Sequence, residues 1–168
     1  QVLYEGPQIQ HGQQAWLAAG GQQLGSVWGH GSYLAPDWSA DWLHREALAL
    51  QEALAARDFG RPYAKLDAAR KGHVDAAVRE ELRRNTYDPQ TGALVLSDLR
   101  AEAVRQVAGH YAGLFGSDSR FDALREQYAM KTGSLPLEAD RAALTGFFFW
   151  SSWSAAADRP CQPGLSYT

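Results

Sequence analysis

The chain has 168 residues, 45% of them hydrophobic and 21% charged, the composition of one modest folded domain large enough to bury a core. A formal net charge of −3 excludes the basic footprint of a nucleic-acid binder and a polybasic membrane-surface patch. The single cysteine, Cys161, excludes an internal disulfide.

The apolar pattern is mostly helical. Residues 9–19 predict a short helix stopped by Gly20 and Gly21. Residues 25–36 read as a glycine-rich loop, after which Asp37 or Ser39 can cap a helix to about Asp58, broken by Gly60, Arg61 and Pro62. A third helix fits 63–84, with Leu66, Val74, Ala77, Val78 and Leu82 on its buried side and Gly72 inside it. The one strand signal is 85–96, where Asp88-Pro89 and Thr91-Gly92 supply turn chemistry for a small hairpin. Ser97 or Asp98 can cap a helix to Phe115, and another is predicted at 120–131. Pro136 suits the first turn of a last helix running through Phe147, Trp150 and Trp153. The predicted fold is a mainly α domain with five or six helices and one hairpin. Its most apolar stretch, 142–153, is interrupted by Thr145, Ser151 and Ser152 and falls short of the roughly 20 residues of a spanning helix. Both ends read as cut, so the chain is expected to be a single soluble piece, 1–168, of a larger protein.

Candidate catalytic residues are sparse. His11, His30, His44, His73 and His110 are separated by 19, 14, 29 and 37 residues, and none has the spacing of a metal-binding pair. His30, between Gly29 and Gly31, is the best placed for a specific role, read as a structural hydrogen bond. Met130 reads as core filler. Ser32, Asp37, Asp41 and His44 are hydrolase residue types without a G-x-S-x-G elbow; Asp41 and His44 read as a local contact on a helix surface. The aromatics leave two readings open. Trp38 and Trp42, one turn apart, share a face that either packs in the core or docks on a partner. Phe147, Phe148, Phe149 and Trp150 pose the same choice, and at least one face of that run is expected to meet protein or the lipid interface.

The run Gly29, Gly31, Tyr33, Ala35, Pro36, Asp37 resembles the segment after the CxxCH haem site in the cytochrome c subunit of bacterial nitric oxide reductases. In that register the two cysteines and the histidine fall on Gly21, Leu24 and Gly25, which cannot attach haem. With Trp28, His30, Trp38, Trp42, His44 and Arg45, and with the C-terminal FFFWSSWSAAADRP and SYT, the longer pattern resembles the single-chain, quinol-dependent reductases.

That resemblance implies a cytochrome c-like helical fold with extra helices, haem-free and without an active site of its own. It implies a periplasmic or outer-face location beside a membrane body that holds haem b, haem b3 and non-haem iron and reduces NO to N2O with electrons from quinol. The domain's partner is then that body, and residues 29–37 with the aromatic cluster 147–153 are the expected contacts, with Trp28, His30, Trp38, Trp42, Phe148 and Trp150 as docking residues. Gly31 and Tyr33 match positions that help hold calcium in the cytochrome relatives, and tight calcium binding is not expected of this piece alone. The rival expectation is a free-standing helical electron carrier or small-ligand-binding module.

Overall fold

Side chains that cap a helix decide where three of the six described α-helices begin. The computed structural model describes residues 2–32, 34–160, 162 and 164–166. Helix α1 is Gly6–Ala18, starting earlier than expected because Pro7 sits in its first turn, where no N–H is required. Asp37 caps α2 (Trp38–Phe59) by accepting from the Ala40 N–H, and Gly60 ends it in the left-handed conformation. Asp67 caps α3 (Ala68–Arg83) through the Arg70 N–H. That cap corrects the expected start at residue 63: Tyr63–Lys65 is a single 3-10 turn, and Leu66 is extended.

Strands β1 (Tyr87–Asp88) and β2 (Ala93–Leu94) pair antiparallel, Tyr87 opposite Leu94. The Asp88 carboxylate closes their turn by accepting from the Gln90 N–H at 2.9 Å and the Thr91 hydroxyl at 2.8 Å. Ser97 caps α4 (Asp98–Phe115). The helix expected over 120–131 is shorter: a 3-10 turn at Ser119–Phe121 precedes α5 (Asp122–Gln127). Its end is a Schellman closure, with Ala129 at φ 52 and the Met130 N–H donating to the Arg125 carbonyl at 2.8 Å. Helix α6 is Glu138–Ala156. Pro136 lies outside it: Leu137, just before the helix, is extended, and the Arg141 guanidinium donates to the Leu135 and Pro136 carbonyls at 2.8 and 2.7 Å. No described helix is long and apolar enough to cross a membrane.

Two apolar cores result. The larger joins α1, the start of α2, the C-terminal half of α4, and α6 through Trp16, Trp38, Trp42, Tyr111, Phe115 and Phe148. Helix α1 lies so close to α6 that a Cβ on Gly12 would stand 2.0 Å from the Ala143 carbonyl oxygen. The smaller core joins the rest of α2 to α3 and α4 through Leu50, Leu54, Val74, Val78 and Ala103.

Between the cores sits a buried ion pair. Arg100, 2% exposed, donates through Nε to Glu46, 0% exposed, at 2.7 Å. The other Glu46 oxygen accepts from Trp42 Nε1 at 3.0 Å, and Arg100 Nη1 reaches the Glu81 carbonyl at 2.8 Å. One pair thus ties α2, α3 and α4. Removing one partner would strand a buried charge, which costs about 3–5 kcal/mol. Arg100→Met is expected to lose stability on that scale in urea unfolding, and adding Glu46→Gln, which keeps an acceptor for Trp42, is expected to recover most of it.

Candidate functional site

The glycine-rich loop is organised by one carboxylate. Asp37 Oδ2 accepts from the Ser26 hydroxyl at 2.8 Å and the Gly29 N–H at 2.6 Å. Its Oδ1 accepts from the Ala40 N–H at 3.0 Å and from the Ser39 hydroxyl. Ser26 extends the network: its hydroxyl accepts from the Gly31 N–H at 2.7 Å, and its carbonyl from the Trp38 N–H at 2.8 Å. Burial alone would raise the Asp37 pKa, but the bonds from Ser39, Gly29, Ser26 and Ala40 outweigh it and hold the carboxyl below its ordinary value. All of this uses both oxygens inward, leaving Asp37 poorly suited to hold a cation.

The loop holds Trp28 outward in a costly conformation. Trp28 is 59% exposed and has φ 54, the left-handed region that a bulky residue rarely adopts. It is held there by its N–H donating to the Ser39 hydroxyl at 3.1 Å and its Nε1–H donating to the Ser151 carbonyl at 2.7 Å. Its ring lies 5.7 Å from that of Trp150, tilted by 48°. The two rings wall a cleft of about 600 Å3, whose other sides include Leu43, Ala40, Ser154 and Ala155.

The structure separates the expected docking residues into two groups. Trp28, His30 and Trp150 are exposed. Trp38 and Trp42 are 0% exposed, as is Phe148, so the face they share is core and cannot itself touch a partner. Trp38 stacks on Phe148 at 5.7 Å and meets Tyr111, Phe115 and Tyr128 edge-on; Trp42 stacks on Tyr111 at 5.3 Å. Phe147 and Phe149 are buried as well, against Trp16 and Tyr4. Only Trp150 of the four consecutive aromatics reaches the surface.

The positions that the sequence resemblance sets against a haem attachment lie beside this core. Gly21 is buried at φ 51, Leu24 is partly buried, and Gly25 is buried at φ 143. A Cβ on Gly25 would lie 2.4 Å from Trp38 Nε1 and 2.7 Å from the Pro36 carbonyl oxygen. No imidazole fits there without displacing the indole, and the residues present do not fit a covalently attached haem. Gly31 is partly buried in the loop; Tyr33, Cys161, Tyr167 and Thr168 lie outside the described residues.

The remaining candidates scatter. His11 pairs with Asp140 at 2.9 Å and His73 with Asp58 at 3.6 Å, while His44 is exposed. No group of three potential metal ligands occurs among the described residues. The expected Asp41–His44 contact is replaced by Asp41 with Arg45, one residue further along α2, at 2.8 Å. Asp41 also accepts from the Tyr111 hydroxyl at 2.6 Å, and burial together with that carboxylate pushes the Tyr111 pKa up, so the phenol stays a donor. Ser32 closes a turn with Ala35, leaving no catalytic triad among Ser32, Asp37, Asp41 and His44. Met130 is buried in the larger core. The four donors on Asp37 and the pinning of Trp28 to α6 were not found from sequence, although Asp37 as a helix cap pointed toward the first.

Two outcomes are expected. Gly25→Ala forces a side chain onto Trp38 at a left-handed φ and is expected to lower stability by roughly 2 kcal/mol or more, read by thermal unfolding. His110, packed edge-on against Tyr111 and Phe121, has its pKa lowered from 6.5 to about 4 by burial, with Arg45 adding to the shift and Asp41 opposing it. Between these values the unfolded chain takes up the proton and the folded one does not. Stability is therefore expected to fall as pH drops from about 6.5 to about 4, and His110→Phe is expected to remove that part of the loss in urea titrations across this range.

No curated protein matches the chain. The family model for the cytochrome c-like domain of the nitric oxide reductase NorB chain matches residues 1–168. An α-rich domain with a glycine loop over an aromatic core, matched from end to end, thus belongs to the NorB cytochrome c-like domain family of nitric oxide reductases.

Proposed function

We propose that this domain is the haem-free, non-catalytic outer cap of a quinol-dependent nitric oxide reductase. The observation that carries the reading is the contact between Gly25 and Trp38, where the haem-ligand position is a glycine pressed against an indole that fills the core. With no thiol at Gly21 or Leu24 either, the domain has no means of covalent haem attachment and passes no electrons itself. Electrons enter the membrane body directly from quinol, and that body holds haem b, haem b3 and non-haem iron for the reduction of NO.

The domain's own work is positional, on the periplasmic or outer side of the membrane. Asp37 fixes the loop, the loop sets Trp28 against Trp150, and these two rings with His30 meet the body. Calcium, if the full-length protein binds it here, takes oxygen from the Gly31 backbone and from Tyr33, with further ligands from outside the domain. The rival reading, a small-ligand module, draws on the cleft under Trp28 but has no convergent polar group to orient a ligand: Asp37 is fully engaged inward.

The full-length enzyme tests this. Its alkaline pyridine haemochrome spectrum is expected to show b-type haem alone, with NO consumption supported by quinol in the absence of any added cytochrome c. A c-type band, or activity that requires a reduced cytochrome c, would overturn the reading.

A further inference from the structure

Ten large apolar side chains stand exposed among the described residues, and five of them, Val2, Trp28, Tyr87, Val95 and Trp150, line two neighbouring clefts that share the Trp150 ring. One is the cleft under Trp28. The other, about 690 Å3, also borders Trp150 and lies between the N-terminal segment, the β1–β2 hairpin, α4 and α6. Apolar surface concentrated in this way marks an interaction site. Charge is scarce across it: Asp37 is engaged by its own loop, and only Asp98 and Arg105 line the second cleft, Arg105 being paired with Glu102 at 2.6 Å.

We infer that both clefts form one docking surface whose occupant is an apolar, uncharged ridge of protein from the remainder of the same chain. This rests on the docking reading above and extends it from the loop to the hairpin and the N-terminal segment. Shape selects the occupant. The surface holds two clefts that both border Trp150, so convex side chains fill it while a flat bilayer bridges over it. A second copy would set hollow against hollow, and a charged soluble partner would find few ions to pair with. The family is a domain within NorB, which makes the rest of that chain a covalently linked partner at high effective concentration, so a contact without salt bridges suffices.

Photo-crosslinking in the full-length protein tests the extension, with p-benzoylphenylalanine incorporated in turn at Val95, at Leu137 and at His30. Val95 and Leu137 are matched in this domain, 66% and 63% exposed, but only Val95 lies on the proposed surface. Val95 is expected to crosslink to peptides of the same chain outside residues 1–168, in at least tenfold higher yield than Leu137. Lipid adducts, a crosslink to a second copy, or a yield no higher than at Leu137 overturns the inference. If His30 crosslinks beyond the domain while Val95 does not, the extension fails and docking through the loop stands. If neither does, both fail.

Discussion

The Asp37 carboxylate is the constraint on which the outer half of this domain depends. It caps α2, and with the same two oxygens it gathers Ser26, Gly29 and Ser39. Ser26 and Gly29 lie on either side of Trp28, whose backbone takes the left-handed conformation at φ 54. Ser39 carries the constraint onward, since its hydroxyl accepts from the Trp28 N–H and its carbonyl lies 2.9 Å from the Ser152 hydroxyl on α6. A helix cap is worth about 1 kcal/mol; here the same group also fixes the shape of a surface.

Beneath the loop, aromatic packing fills the larger core. Trp38 touches four rings from α4, α5's trailing turn and α6, and aromatic pairs contribute about 0.5–1.5 kcal/mol each beyond the area they bury. This packing is incompatible with a side chain at Gly25. The Glu46–Arg100 pair then joins this core to the second one and fixes how α3 sits against both.

The parts legible in the sequence are those set by local chemistry. Asp37 and Ser97 can be read as caps, and Asp88-Pro89 with Thr91-Gly92 as a turn, because each acts on residues within a few positions. The start of α3 is not legible in the same way, because Asp67 outcompetes an apolar pattern running back to Tyr63. The early end of α5 is hidden because an alanine, Ala129, takes a left-handed position usually given to glycine. For the site, periodicity places Trp38 and Trp42 on one face but does not tell whether that face is covered. Trp28, by contrast, is one aromatic among several, and nothing local announces a hydrogen bond to Ser151, 123 positions away.

Oxidative footprinting of tryptophans in the full-length enzyme tests the central claim most directly, because Trp28 and Trp150 are open in this domain at 59% and 38% exposure. If the loop and α6 seat the domain on the membrane body, both are protected there by at least tenfold relative to a freely exposed tryptophan. Oxidation of Trp28 at the rate of an open surface indole would contradict the account.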